Sequence, residues 1–145
     1  MIDFVPMTEE DVDAVWALDR LCFRVPWSRK SFADEMDNPM AVYFLAKEEE
    51  KIVGYAGYWL VAGEGHITNI AVHPDYRRRQ IGTGLLVHII ASARKNNLCL
   101  LTLEVRESNT AAQALYEAHG FKKIGMRKHY YSDNRESAYI MTRIF

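Results

Sequence analysis

The segment Arg79-Gln80-Ile81-Gly82-Thr83-Gly84 constrains this chain more than any other. It follows an apolar, strand-like run and precedes apolar residues at Leu85, Leu86, Ile89, Ile90 and Ala93, the spacing of an amphipathic helix. A strand that turns on glycines into a helix belongs to a layered α/β architecture. The first N–H groups of such a helix have no internal partner, and its dipole favours an anion there. Gly82 and Gly84 lack a Cβ, which lets a ligand approach the backbone. Arg77, Arg78 and Arg79 add positive charge beside those donors. The segment reads either as a pyrophosphate cradle or as a tight turn flanked by a solvated arginine run. It is not a Walker A loop, because no Lys-Ser/Thr pair follows the glycines, nor a dinucleotide fingerprint, because one of the three glycines is missing.

Alternating strands and helices surround this unit. Ile2 to Val5 reads as a strand, and Thr8 with Asp11 opens a helix carrying Val12, Val15, Trp16 and Asp19. Ser28 caps a second helix that stops before Asn38-Pro39. Val42 to Ala46 and Ile52 to Val61 are strands. From His66 to His73 the apolar pattern slips by one residue across Thr68 and Asn69, as a β-bulge would make it, and a bulge leaves backbone groups for another partner. Leu98 to Val105 reads as a buried strand, Ser108 or Asn109 caps a helix running to His119, and Gly120 closes it. Lys123 to Tyr131 and Ser137 to Ile144 are the last two strands. The fold class expected is α/β (α+β), a mixed sheet with helices on both faces, in a single domain over residues 1–145.

Of the 145 residues, 49% are hydrophobic and 26% charged, which suits one packed core. A net charge of -1 gives no field for nucleic acid, and the arginine triplet alone is too small a footprint. Cys22 and Cys99 sit in apolar stretches without metal-ligand spacing, and the histidines do not pair, so no metal is expected. The absence of a basic-then-apolar start and of any long apolar run points to a cytoplasmic protein without membrane contact, expected to be a monomer.

The motif Arg79-x-x-Gly82-x-Gly84 after Ile70-Ala71-Val72-His73-Pro74 resembles the acetyl-CoA loop of the GNAT N-acetyltransferase superfamily. Asn109-x-x-Ala112-x-x-Leu115-Tyr116 with Gly120-Phe121 resembles its second motif. The likeness runs along nearly the whole chain. Within the superfamily, Pro26-Trp27-Ser28, His73-Pro74-Asp75-Tyr76-Arg77, Leu103-Glu104-Val105-Arg106, Tyr130-Tyr131 and Arg135-Glu136 are similar to the bacterial ribosomal-protein-alanine N-acetyltransferases. Gln80 stands where the superfamily often has glycine, and Ser137 where a carboxylate is common. The resemblance implies a GNAT fold, with a mostly antiparallel sheet splayed in the middle. It implies acetyl-CoA as cofactor and coenzyme A as product, with Ile70, Ala71 and Val72 pairing the pantetheine arm. Arg77, Arg78, Arg79, Gln80, Ile81, Gly82, Thr83 and Gly84 would hold its pyrophosphate, and Asn109, Ala112 and Tyr116 would complete the cofactor site. The implied partner is a protein N-terminus, the N-terminal alanine of the eighteenth small-subunit ribosomal protein.

Acetyl transfer needs a neutral amine and a protonated leaving thiolate. An α-amine titrates near 7.7–8.0 and a lysine near 10.4, so deprotonation at neutral pH costs about 1 kcal/mol for the first and about 4–5 kcal/mol for the second. Glu104 is the candidate base, the one charge in its apolar strand, because a buried carboxylate is a better proton acceptor. The alternative is an edge carboxylate paired with Arg106 or Arg127. Tyr116 is the candidate acid, since a phenol near ~10 protonates a thiolate near ~8.5 only slightly uphill. Trp27, Tyr130 and Tyr131 are candidates for the wall that receives a peptide, or else core residues. The competing functions are acetylation of a small-molecule amine and a catalytically idle acyl-CoA-binding module.

Overall fold

In the computed structural model, which describes Met1–Phe145, seven strands make one sheet in the order β1-β2-β3-β4-β5-β7-β6. The strands are β1 (Ile2–Pro6), β2 (Ala41–Glu48), β3 (Lys51–Val61), β4 (Glu64–Val72), β5 (Leu100–Arg106), β6 (Lys122–Arg127) and β7 (Ala138–Ile144). The helices are α1 (Val12–Cys22), α2 (Arg29–Met36), α3 (Ile81–Lys95) and α4 (Thr110–Ala118). Every strand pair is antiparallel except β4 with β5. No helix is long and apolar enough to cross a membrane.

Helices cover both faces. On one side α3 buries Ile81, Leu85, Leu86, Ile89, Ile90 and Ala93 against Val53, Ala56, Leu101 and Leu103, joined by Tyr116 of α4 and Phe121. Each large apolar side chain removed from water there contributes about 1.5–3 kcal/mol. On the other side α1 and α2 bury Val12, Val15, Leu18 and Phe32 against Leu45, Tyr55 and Ala71. The ends of α1 and α2 follow local rules. Asp11 Oδ2 accepts the Thr8 N–H at 2.8 Å, and Ser28 Oγ accepts Ser31 N–H at 3.1 Å.

Two irregularities in β4 shape the middle of the sheet. Gly57 pairs with Asn69 and Tyr58 with Ile67, so Thr68 is the extra residue of a bulge, where the hydrophobic phase slips in the sequence. Ile67 on one side of it and Ile70 and Val72 on the other therefore all face α3. Pairing between β4 and β5 covers only Glu64–Leu100, Gly65–Leu101 and His66–Thr102, after which the strands part. The splay leaves an opening flanked by Ile67 to Val72 and Leu103 to Arg106.

The final hairpin differs from the sequence expectation. β6 ends at Arg127, so Tyr130 and Tyr131 lie in the β6–β7 loop rather than in a strand. His129 takes a left-handed φ of 53°, and Tyr131 N–H bonds Glu136 O at 3.1 Å while Arg135 N–H bonds Tyr131 O at 2.9 Å. The loop closes on itself, and β-pairing cannot continue.

Candidate active site

The N-terminus of α3 is the first half of the site. The first intrahelical bond runs from Gly84 N–H to Gln80 O at 3.1 Å, leaving the N–H groups of Ile81, Gly82 and Thr83 without an intrahelical partner. A Cβ on Gly82 would meet only Leu115 Cδ2 at 3.6 Å and Val72 Cγ2 at 3.8 Å, so the end of β4, the start of α3 and α4 converge around open backbone. Gly84 has a different reason. A Cβ there would overlap the Phe4 ring, so this glycine lets β1 pack on α3 rather than admitting a ligand. Gln80 sits at φ 59°, ψ 24°, a left-handed conformation that favours glycine and accounts for the residue type expected at this position.

The three arginines separate. Arg79 bonds Glu48 Oε2 at 2.7 Å and lies 5.0 Å from the Tyr76 ring, so its charge is partly neutralised. Arg77 Nε reaches Val72 O at 3.4 Å, an acceptor it shares with the Cys22 thiol. Arg78 has φ 65° and is exposed, with no ion pair. Ile70 lies partly buried toward α3, while Ala71 is buried in the α1–α2 core. Asn109 caps α4, its Oδ1 accepting Ala112 N–H at 3.2 Å.

The second half of the site lies across the splay. The burial expected of Glu104 is not found. Period-two alternation sends Leu103 and Val105 into the core and turns Glu104 to the other face, where its side chain is 30% exposed and its Oε1 accepts Arg127 Nε–H at 3.2 Å. Tyr116 comes from α4 in the α3-side core, its ring 5.7 Å from Phe121. Its hydroxyl makes no hydrogen bond within the chain, yet it is not sealed from solvent. Burial, reinforced by Tyr131, pushes the Tyr116 phenol well above its ordinary value. Burial likewise pushes Tyr131 up to about 12, with Arg106 opposing and Tyr130 and Glu104 adding to the rise. Tyr130 and Tyr131 pack edge to face at 5.1 Å, and the charge of Glu104 on β5 raises both phenols further. Trp27 is elsewhere, packed on Phe32 at 5.3 Å, with its N–H donated to Asp19 Oδ2 at 2.8 Å.

Three residues of this region have roles that a reading of motifs does not give. Asp19 is fully buried and accepts the Tyr55 hydroxyl at 2.6 Å, and that oxygen accepts Asn69 Nδ2–H beside the bulge at 3.1 Å. Its place on the apolar stripe of α1 was the available signal. Gln113, buried in α4, donates to Arg106 O and Glu107 O at 2.9 and 3.0 Å. Arg106, two residues beyond Glu104, ties the β6–β7 loop to β5.

The model of the acetyltransferase (GNAT) family matches residues 12–121. The chain belongs to this family. It is 38% identical over 133 residues to the ribosomal protein bS18-alanine N-acetyltransferase of Escherichia coli K12, covering 90% of this chain and 89% of that protein. The crystal structure of the ribosomal-protein-S18-alanine N-acetyltransferase from Escherichia coli superposes with a TM-score of 0.92 at 36% identity, covering 99% of this chain and 94% of that one. The N-acetyltransferase PaiA from Thermoplasma acidophilum, solved with coenzyme A, superposes at 0.85 with 16% identity and shares the fold. As a GNAT member the chain is an N-acetyltransferase, and acetyl-CoA is the family's acyl donor.

Proposed function

We propose that this GNAT enzyme acetylates a protein N-terminus from acetyl-CoA, and that its acceptor is the N-terminal alanine of ribosomal protein bS18. What supports the reading is the splay: Ile67 to Val72 and Leu103 to Arg106 flank one opening between β4 and β5, and Glu104 lies on the β5 side of it. The acceptor follows from the relatives, which bear that activity and align over nine-tenths of the chain.

The residues fit the cofactor. Ile81, Gly82 and Thr83 present N–H groups to a pyrophosphate, with the unpaired Arg78 beside them, and Gly82 keeps that approach open. Ile70 to Val72 lack a β5 partner, and of their backbone groups Val72 O already accepts from Arg77 Nε and Cys22 Sγ. Ala112 and Leu115 of α4 line the cleft, and Asn109 serves it through its cap rather than by direct contact. When bound, acetyl-CoA supplies the activated acyl carbon and a thiolate leaving group.

Glu104 takes the proton that the acceptor nitrogen loses, directly or through water. Its exposure and its ion pair with Arg127 suit an α-amine, which needs little assistance at neutral pH. Tyr116 would donate its hydroxyl hydrogen bond to the leaving sulfur. With its phenol pushed upward, it is better suited to donating a hydrogen bond as charge develops than to releasing the proton fully. Tyr130 and Tyr131, edge to face at 5.1 Å, wall the acceptor side, while Trp27 packs on the α1–α2 core.

Intact-mass spectrometry of ribosomal proteins incubated with enzyme and acetyl-CoA tests the reading. One acetyl group on bS18, located at its first residue by fragmentation, is the expected result. Acetylation of small amines alone, or of lysines, would replace it.

A further inference from the structure

Arg106 is the most connected side chain near the site, and the acetyl-transfer chemistry assigns it no role. It ends β5 opposite Ala138 of β7 and points to the same face as Glu104. Its Nη2 donates to Asp133 Oδ2 at 2.9 Å, and its Nη1 to Asn134 Oδ1 and Glu136 Oε1, both at 3.3 Å. The guanidinium carbon lies 3.9 Å from the centre of the Tyr131 ring. The Asp133 and Glu136 side chains are only 11% and 15% exposed, and Asp133 Oδ2 also lies 4.0 Å from Arg24 Nη1. The main chain continues the arrangement: Arg106 O accepts Gln113 Nε2–H at 2.9 Å and Asn109 N–H at 3.0 Å, fixing the start of the helix that carries Tyr116. Glu136 Oε2 accepts Ser108 N–H at 2.6 Å, tying the loop to that same turn.

We infer that Arg106 is a positioning residue for the acceptor, holding the β6–β7 loop and with it the Tyr131 ring in place on the acceptor side of the site. The reasoning is geometric. Tyr131 is in a loop with no strand partner, and its ring has one cation beneath it, while the loop's acidic and amide groups converge on the same guanidinium. A planar fork serves three acceptors and stacks on a ring at once; an ammonium cannot. The α4 contacts of the Arg106 carbonyl survive a side-chain change, and only the tie from Glu136 to the Ser108 N–H depends on the guanidinium. Arg106 therefore acts chiefly on the acceptor wall, and its side chain makes no direct contact with the cofactor half of the site. The inference rests on Tyr131 walling a peptide N-terminus.

The test uses the whole enzyme with Arg106→Lys, Arg106→Gln and, on the loop side, Asp133→Asn. On an alanine-initiated peptide the KM for peptide should rise roughly tenfold or more in both Arg106 variants, with lysine failing to rescue. The KM for acetyl-CoA should stay within about twofold of wild type. In Arg106→Gln combined with Tyr131→Ala, peptide KM should be no worse than in Tyr131→Ala alone, since one acts through the other. Hydrogen exchange in the unliganded protein reads the loop separately: the Tyr131 and Arg135 amides should lose protection in all three variants. An unchanged peptide KM overturns the inference, as do an equal rise in both KM values or retained amide protection. Wild-type enzyme that ignores the peptide would overturn the acceptor reading instead, and the exchange experiment would still decide whether Arg106 orders the loop.

Discussion

Two glycines two residues apart do different work, and substitution separates them. Gly82→Val adds a side chain where the protein leaves room, so the fold should persist while acetyl-CoA binding weakens. Losing two charge-assisted hydrogen bonds at about 1.5–3 kcal/mol each implies more than a hundredfold in affinity. Gly84→Ala instead forces a methyl into the Phe4 ring and should cost about 1–3 kcal/mol of stability. Calorimetric titration alongside thermal melts distinguishes the two; normal binding by the folded Gly82 variant would place the pyrophosphate elsewhere. Glu104→Gln tests the base. Turnover on an alanine-initiated peptide should fall strongly at neutral pH and partly recover as pH passes the amine pKa, because solvent then supplies the neutral nucleophile. A peptide whose only amine is a lysine should remain poor, its deprotonation being costlier by roughly 3–4 kcal/mol. Superimposable pH–rate profiles for wild type and variant would remove Glu104 from the mechanism.

Among elements, the β6–β7 loop has its own pH dependence. Hydrogen bonding by Ser108, with help from Arg106 and Asn134, holds the Glu136 carboxyl below its ordinary value of 4.5. A carboxyl with a lowered folded pKa contributes stability that is complete above the unfolded value and lost as pH falls through the folded one. Acidification below about pH 4.5 should therefore loosen this loop and the β5–α4 turn, with little effect at neutral pH. Exchange of the Ser108 amide followed down the pH scale is the measurement, with Glu136→Gln as reference. A Ser108 amide equally protected at every pH in both proteins would leave Glu136 no part in holding the turn. The bulged half of β4 is supported differently, by the buried chain Asp19–Tyr55–Asn69, where burial raises the Asp19 carboxyl despite its two donors.

At the scale of the molecule, the two cores lie on opposite faces of one sheet, with Tyr55 serving the α1–α2 side and its neighbour Ala56 the α3 side. Neither can lose its packing without exposing strands the other needs. The chain should unfold as one unit over residues 1–145, with far-UV circular dichroism and tryptophan fluorescence giving coincident transitions. Trp16 and Trp27 report the α1–α2 side. Acetyl-CoA should raise the single midpoint, because it binds only the folded chain. Two resolved transitions would divide the chain where the sequence shows no boundary.

Local chemistry made much of this legible. The capping positions, the helical stripe of α3, the glycine turn and the phase slip at Thr68 are short-range patterns, and each appears in the structure where the residues place it. Side-chain alternation was also present in the sequence, yet an almost wholly apolar β5 hid which face Glu104 would take. Only tertiary structure decided that Gly84 answers to Phe4, that Arg79 answers to Glu48, and that Glu104 meets Arg127. Each of these pairs is more than twenty residues apart in the chain. The same holds for the opening itself. Splaying depends on where β4 and β5 stop pairing, and Tyr131 is held by Arg106, which binds residues 27 to 30 positions away. Propensity and periodicity act within a few residues and specify elements. The site is made by contacts that exist only once those elements have packed.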